Sequence, residues 1–320
     1  MRGVKTNRSV SGRRMWTVAA ALSVAALLGA ACGSSDDDEQ QAATETTAAN
    51  DSSAGANDAT DATDAESDSA AAAAAESGAD VTAEQMKAVI DGIDWPDNVE
   101  VTIGTDTWTF RSNGRPDHEL PAQYLVPKPG VDARTATLDI LQVSSTPDRE
   151  VDVTYELPLA PKQNASATNL FGILGVIRSG GVVNDPYEAD QKTIAVEATD
   201  LKIGDVTFID SCSAHFNPMG YHYHGIPYCM TEVLDSPGQH SALRGFMVDG
   251  FPVYGPQGDD GAEETDLDEC RGHFGPTPEF PDGIYHYHLT STFPYTTLCL
   301  MGTPEDSSMQ MPDMGGQTAP

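Results

Sequence analysis

Alternating apolar and polar residues indicate strands over most of the chain beyond residue 98. Two segments alternate and a third is a short apolar run: VEVTIGTDTWTF at 99–110, REVDVTYELPLA at 149–160 and FGILGVI at 171–177. Glycine and proline recur between them, and no helical period competes with the strand pattern. The pattern predicts a mainly β fold, arranged as a sandwich or barrel-like domain.

The segment RGFMVDGFPVYGP at 244–256 predicts a tight hairpin. Its two apolar runs flank Asp249-Gly250, a dipeptide that accepts the positive φ angles of a two-residue turn. We therefore interpret Asp249 as a turn residue and not as a catalytic one.

Residues 1–31 have the organisation of a bacterial lipoprotein signal peptide. Basic residues precede a short apolar run at 18–28, and small residues lead into Cys32. This run is well below the roughly 20 residues that a spanning helix requires. The residues before Cys32 resemble a lipobox, with Gly29 where leucine is usual. We expect a lipid anchor at Cys32, with ordinary cleavage after an A-x-A-like site as the alternative.

Polar segments flank the predicted β domain. Residues 32–81 are rich in Ala, Asp and Ser and contain no Lys or Arg, which predicts a disordered acidic tether. Thr82 and Gln85 have the spacing of a capping box, so a short helix and a connector are expected over 82–97. Residues 304–320 are expected to be a disordered, Met-rich tail.

The charge of the chain restricts its partners. A formal net charge of -32 at pH 7 disfavours nucleic acid, because the phosphate backbone would be repelled. Beyond the leader and the tether there remain about 220 to 240 residues, enough for one large β domain or two small ones. The membrane, reached through the lipid anchor, is an expected partner, and the location is predicted to be extracytoplasmic.

The C-terminal half contains an internal duplication. DSCSAHFNPMGYHYHGIPYC begins at Asp210, and DECRGHFGPTPEFPDGIYHYHLTSTFPYTTLC begins at Asp268. Both follow the order D-x-C-x-x-H-F, a loop, Y-H-Y-H, P-Y and a final Cys, and their lengths differ only between matched elements. The duplication predicts two related units packed about a pseudo-twofold axis.

The cysteines agree with the duplication. Besides Cys32 there are four, an even number in an exported chain. Three pairings are possible, and the duplication favours one disulfide in each unit, Cys212–Cys229 and Cys270–Cys299. Thiolate metal ligands are the alternative, which an oxidising compartment disfavours.

Six of the eight histidines occupy matched positions in the two units: His215, His222 and His224 in the first, and His273, His286 and His288 in the second. Residues two apart on a strand share a face and lie about 6.6 Å apart. Their imidazoles can therefore converge on one ion, and we predict that the six histidines bind a transition metal. The units can each hold an ion or share one between them.

Several other residues are candidates around the predicted metal site. Asp210 and Asp268 can orient histidine ligands through the second ring nitrogen, or can serve as turn or cap residues. Imidazole suits copper and zinc alike, and the thioethers of Met309, Met311 and Met314 tilt the expectation slightly to copper. The loop GDDGAEETDLDE lacks the EF-hand spacing and is interpreted as a solvated acidic loop.

Two other classes of function stay open at this point. An open coordination position would make the protein a metal-dependent hydrolase or oxidase, because a bound water would lose a proton near pH 7. Alternatively, exposed tyrosine rings would make a surface module that binds carbohydrate or peptide. That module would use the tyrosines of the two tetrads: Tyr221, Tyr223, Tyr285 and Tyr287.

The chain resembles the YHYH domain family of bacterial secreted proteins. The resemblance rests on the two Y-H-Y-H tetrads, on VDGFPVYGP between them and on FPYTTLC near the end. SNGRPDH at 112–118 is similar to an upstream element of the family, so the resemblance covers 98–303 and implies that His118 approaches the site. The family carries no settled activity, and the resemblance therefore names a domain without naming a reaction.

Overall fold

The computed structural model describes residues 80–131, 137–145, 150–217, 219–230 and 235–306. The predictions for the signal peptide, for Cys32 and for the methionines at 309–314 lie outside these residues. Within them there is one α-helix, one 3-10 helix at Ala195–Glu197 and seventeen strands. The elements are α1 (Ala83–Asp91), β1 (Val99–Ile103), β2 (Thr107–Ser112), β3 (Gln123–Pro127), β4 (Leu141–Ser145), β5 (Val153–Pro158), β6 (Thr168–Asn169), β7 (Ile173–Ile177), β8 (Val182–Asn184), β9 (Lys202–Ile203), β10 (Val206–Thr207), β11 (Ala214–Asn217), β12 (Gly220–Tyr223), β13 (Leu243–Met247), β14 (Pro252–Tyr254), β15 (Gly272–Gly275), β16 (Ile284–His288) and β17 (Cys299–Leu300).

Helix α1 begins at the predicted capping box. The Thr82 hydroxyl accepts a hydrogen bond from the Gln85 backbone N–H, and the Gln85 side chain accepts one from the Thr82 backbone N–H. These two bonds satisfy N–H groups that the first turn of a helix leaves without partners. Met86 and Ile90, one turn apart, are fully buried and attach the helix to the core.

The mainly β prediction is confirmed. The described strands form five sheets: a three-stranded antiparallel sheet of order β1-β2-β5, the pairs β3-β4, β6-β17 and β9-β10, and one eight-stranded sheet. None of these sheets closes into a barrel. No helix among the described residues is long and apolar enough to cross a membrane.

The eight-stranded sheet is palindromic. Its order is β11-β12-β8-β7-β13-β14-β16-β15, so the first four strands and the last four mirror each other about the β7–β13 pair. We call β7, β8, β11 and β12 the first repeat, and β13, β14, β15 and β16 the second repeat. The duplication is therefore longer than the sequence motifs indicated, because each repeat begins with a hairpin upstream of its D-x-C motif.

The pseudo-twofold axis passes between β7 and β13. Their antiparallel register pairs Gly245 with Ile177, Phe246 with Val176, and Met247 with Gly175. Gly175 and Gly245 occupy equivalent positions on the two strands. A Cβ at Gly175 would lie 2.6 Å from the Phe246 carbonyl oxygen, and one at Gly245 would overlap the Val176 carbonyl oxygen. The approach of the two repeats therefore requires glycine at both positions.

The three-stranded sheet and α1 pack on the eight-stranded sheet. Trp108 of β2 is fully buried and meets the Phe246 ring edge-on at 5.2 Å. Trp95, which follows α1, contacts Trp108 at 6.1 Å. A single apolar cluster contains residues of both sheets and of the helix, so the described part of the chain has a layered, sandwich-like core.

Asp249 and Gly250 lie in the predicted turn between β13 and β14, but only Gly250 of the pair has a positive φ angle. The φ of Gly250 is +91°, and its N–H donates to the Met247 carbonyl. The Asp249 carboxylate is completely buried and accepts hydrogen bonds from the Phe251 N–H, the Gly302 N–H and the Tyr287 hydroxyl. Besides its turn role, Asp249 thus connects the hairpin to β16 and to the end of the domain.

The disulfide prediction is confirmed. Cys212 pairs with Cys229, and Cys270 pairs with Cys299, so the thiolate-ligand alternative is wrong. Two disulfides are typical of a protein that folds in an oxidising compartment outside the cytoplasm.

Candidate metal centres

Each repeat opens its histidine-bearing hairpin with the same turn. The Asp210 carboxylate accepts hydrogen bonds from the N–H groups of Cys212 and Ala214, and Asp268 accepts the equivalent bonds from Cys270 and Gly272. This turn places His215 directly opposite His222 in the β11–β12 register. The second repeat pairs its equivalent residues, His273 and His286, in the same way.

The tyrosines of the tetrads lie in the core, opposite the imidazoles. Tyr221, Tyr223, Tyr285 and Tyr287 are each no more than 3% exposed. The Tyr221 hydroxyl donates to Asp210 at 2.7 Å, and that of Tyr285 donates to Asp268 at 2.9 Å. The module that would use exposed tyrosines is therefore wrong, because alternation along the strand directs these rings inward.

The histidines form two clusters, one in each repeat. The three imidazole centroids of the first repeat lie 4.4, 4.9 and 5.3 Å apart, and those of the second lie 4.6, 4.9 and 5.2 Å apart. The first cluster is His215, His222 and His224. The second is His273, His286 and His288, and the structure adds His240 to it.

The second cluster brings the Nε2 atoms of four histidines into a chain of close contacts. The Nε2 of His286 lies 3.2 Å from that of His240 and 3.1 Å from that of His273. The Nε2 of His288 lies 3.3 Å from that of His273. Nitrogens placed tetrahedrally at 2.0–2.1 Å from a zinc ion would be separated by about 3.3–3.4 Å. These three contacts are thus of the size found between the ligands of one metal ion.

Hydrogen bonds fix the orientation of these four rings. Every Nδ1 faces an acceptor: the Ser241 carbonyl for His240, the Asp266 carboxylate for His273, the Ile284 carbonyl for His286 and the Gly255 carbonyl for His288. Carbonyl and carboxylate oxygens only accept, so each Nδ1 carries the proton and each Nε2 presents a lone pair. Lone pairs that face one another at 3.1–3.3 Å repel unless a cation lies between them.

The first cluster has a carboxylate where the second has a fourth imidazole. Glu188 Oε1 lies 3.5 Å from His215 Nε2 and 3.9 Å from His224 Nε2. The Nδ1 of His224 faces the Asp185 carbonyl oxygen at 2.6 Å, and that of His222 faces the Gly220 carbonyl oxygen at 3.2 Å. Both rings therefore direct Nε2 away from the backbone.

Burial favours the neutral form of five of these imidazoles. It lowers the pKa of His222 to about 3, of His224 to about 4 and of His288 to about 3. The pKa values of His215 and His286 are also well below the ordinary value, because burial is reinforced by neighbouring histidines. Neutral imidazole is the form that binds metal. Burial also raises the pKa of Glu188 to about 8.

The remaining predicted residues lie away from the imidazoles. His118 Nε2 is 2.9 Å from the Tyr223 hydroxyl, on the tyrosine side of the sheet. Asp210 and Asp268 bind backbone N–H groups and tyrosines, so they are turn residues and do not orient a histidine. All three contact tyrosines, and strand alternation places those tyrosines on the face opposite the imidazoles.

Three residues at the clusters were missed by sequence reasoning. His240 lies outside the duplicated motif, and nothing in its neighbourhood singled it out. Glu188 follows β8 in a loop without a motif. Asp266 belongs to the acidic loop interpreted as solvated, and it is exposed, but it accepts from the Nδ1 of His273 at 2.9 Å. An alignment of the two repeats that begins at β7 and β13 would have drawn attention to the loop after β8 and to the equivalent loop after β14.

The fold and the clusters define a mainly β domain with a duplicated, histidine-bearing sheet and one disulfide in each repeat. Residues 154–265 and 259–302 match the model of the family described as YHYH protein, and this part of the chain is a YHYH domain. The matched range begins after SNGRPDH and His118, so it does not extend to the upstream element. No curated protein and no solved structure matches the chain.

Proposed function

We propose that this protein is an extracytoplasmic metal-binding protein whose domain holds one transition-metal ion in each repeat. The observation that carries the proposal is the second cluster, where the Nε2 atoms of four histidines make three contacts of 3.1–3.3 Å and every Nδ1 faces an acceptor. A structural role alone does not require four imidazoles to crowd together in this way. The equivalent triad in the first repeat supports a second ion.

The separation of the nitrogens suits a four-coordinate ion. A square-planar ion would place adjacent nitrogens about 2.8–3.0 Å apart, and a tetrahedral ion about 3.3–3.4 Å apart. The three contacts of 3.1–3.3 Å lie between these values and are compatible with zinc and with copper. The slight preference for copper over zinc rested on methionines outside the described residues and stays a prediction.

The second cluster has no free ligand position in a tetrahedral shell, which is typical of a site that stores an ion or stabilises the fold. Catalysis by a metal-bound water needs an open position. The hydrolase or oxidase alternative therefore requires that the fourth position beside the three imidazoles of the first repeat stays open.

Metal analysis of the purified full chain tests the proposal. After zinc loading and dialysis, we expect about two ions per chain for wild type and about one for His222→Ala and for His286→Ala. His118→Ala is the matched control, since His118 lies outside both clusters, and it should keep both ions. Wild-type protein that retains no zinc, copper or other transition metal would overturn the proposal.

Attachment to the membrane through Cys32 is the proposed location of this function. The lipobox-like residues before Cys32 and the two disulfides support it. Metabolic labelling with radioactive palmitate should mark the full chain and leave Cys32→Ala unlabelled. Equal labelling of both forms, or of neither, would contradict a lipid anchor at this residue.

A further inference from the structure

The first cluster contains buried polar atoms without partners. Glu188 Oε1, His215 Nε2 and His224 Nε2 are all buried and make no hydrogen bond. They face one another at 3.5 and 3.9 Å. The side chains are only 12%, 5% and 2% exposed, in the same order. A buried polar atom without a partner is strongly unfavourable, so three in one place indicate a missing partner.

A cation satisfies all three atoms together. The imidazole nitrogens can present lone pairs to a cation. Burial alone favours the protonated form of Glu188, and a cation beside it favours the carboxylate, so each of the three groups can bind a metal ion directly. Distances of 3.5 and 3.9 Å from the carboxylate oxygen to the nitrogens exceed a hydrogen bond. They are close to the separation of about 3.3 Å between ligand atoms of a tetrahedral ion.

We propose that Glu188 is the fourth ligand of the first cluster, which makes it a three-histidine, one-carboxylate centre that differs in chemistry from the four-histidine centre of the second repeat. This proposal rests on the proposed function, since it requires that the clusters bind metal. It adds a ligand outside the duplicated motif and a difference between the two ions.

Equivalent positions in the two repeats explain how the difference arises. Gly175 and Gly245 are equivalent, and counting onward from them places Glu188 opposite Gly258, which has no side chain to offer. Counting backward places His240 opposite Leu170, which cannot bind metal. The proposed fourth ligand of the first repeat, Glu188, thus follows the β7–β8 hairpin. That of the second repeat, His240, precedes the equivalent β13–β14 hairpin.

The carboxylate lies on opposite sides of the imidazoles in the two repeats: beside Nδ1 in the second and beside Nε2 in the first. Asp266 lies behind His273 and accepts from its Nδ1. The equivalent position in the first repeat is Phe208, whose ring meets His215 edge-on at 4.6 Å and leaves His215 Nδ1 without a partner. In the first repeat the negative charge is therefore in front of the imidazoles, among the ligands.

The two centres should differ in metal selectivity. A carboxylate ligand offsets one charge of a divalent ion and is a hard donor, which disfavours Cu(I). Four imidazoles are neutral and accept Zn²⁺ or Cu(I). We expect the first centre to prefer a divalent ion and the second to accept either.

Zinc binding to the full chain tests the role of Glu188. Four forms are compared after loading and dialysis: wild type, Glu188→Gln, His240→Ala and the control Glu156→Gln, which changes a carboxylate on β5 that accepts from Thr107. We expect about two zinc ions for wild type and the control, and about one for each of the other two variants. The ion retained in the second repeat also shows that Glu188→Gln is folded.

The outcomes separate this proposal from the proposed function. No bound metal in wild type overturns both. Glu188→Gln could instead bind two ions, each with an affinity within about 3-fold of wild type. That result would leave metal binding intact and overturn the role of Glu188. Loss of a direct ligand should weaken binding by at least the 10- to 100-fold that is typical when an outer contact is lost. If Glu188→Gln loses both ions, its circular dichroism spectrum is compared with that of wild type. A native spectrum would overturn the assignment of Glu188 to the first centre alone.

Discussion

The buried carboxyl of Asp249 should make the stability of the domain depend on pH. Burial raises the pKa of Asp249, and hydrogen bonds from Tyr287, Gly302 and Phe251 lower it. Burial is the larger effect, so the pKa rises from 3.8 to about 6. Between these two values the folded protein holds the proton and the unfolded chain does not. Unfolding therefore releases a proton, and the free energy of unfolding falls as pH rises from about 4 to about 6.

The size of this effect follows from the shift. One pKa unit corresponds to about 1.4 kcal/mol, so the whole shift of roughly two units corresponds to about 3 kcal/mol. Because the unfolded chain is already partly ionised at pH 4, about 2 kcal/mol of this is lost between pH 4 and pH 7. Asp249→Asn cannot ionise and should not show this loss. Its free energy of unfolding, relative to wild type, should thus rise by about 2 kcal/mol over that range.

Urea unfolding at pH 4 and pH 7, with a chelator present throughout, measures the difference. The control is Asp152→Asn, because Asp152 is exposed and its Arg111 partner lowers its pKa; its difference from wild type should not rise with pH. A constant difference for Asp249→Asn would refute the reasoning. A difference that falls would show that the three hydrogen bonds outweigh burial.

Three further predictions address the duplicated sheet and its ligands. Gly245→Ala should lower the free energy of unfolding by about 1–3 kcal/mol, because the added Cβ overlaps a carbonyl of the facing strand; unchanged urea unfolding would contradict this. Replacing Cys270 and Cys299 by serine should cost about 3 kcal/mol in the same assay, and a loss below about 1 kcal/mol would show that the crosslink contributes little. Asp266→Ala should weaken zinc binding at the second centre by about 10- to 100-fold in a chelator competition. Asp259→Ala in the same loop should leave zinc binding unchanged. Equal effects of the two substitutions would contradict an orienting role for Asp266.

The sequence predicted the elements that depend on local pattern. Alternation located the strands around Trp108 and in the two tetrads, and the side-chain period of two placed tyrosine and histidine on opposite faces. The Asp249-Gly250 turn and the Thr82 capping box were predicted from backbone preferences that act over a few residues. Matched cysteines gave the disulfide pairing because a duplication repeats its crosslinks.

The sequence did not predict contacts between segments that lack a shared pattern. His240 reaches the second cluster from just before β13, and Glu188 reaches the first from just after β8. Which residue of a loop faces a cluster depends on how that loop packs. The side-chain alternation of a strand stops where the strand ends, so it does not predict this residue. His118 shows the same limit in reverse, because it was expected near the metal and lies against Tyr223.

The two clusters show how one framework can carry two different sets of candidate ligands. The turn at Asp210 or Asp268, the tyrosine bound to it and the disulfide recur in both repeats and give three imidazoles nearly the same spacing. The fourth side chain beside these imidazoles differs between the repeats: it is Glu188 in the first and His240 in the second. A change at those two positions alters the charge and hardness of a centre without disturbing the hydrogen bonds that hold the sheet. The loops therefore set the fourth candidate ligand of each cluster, and the sheet sets the spacing of the first three imidazoles.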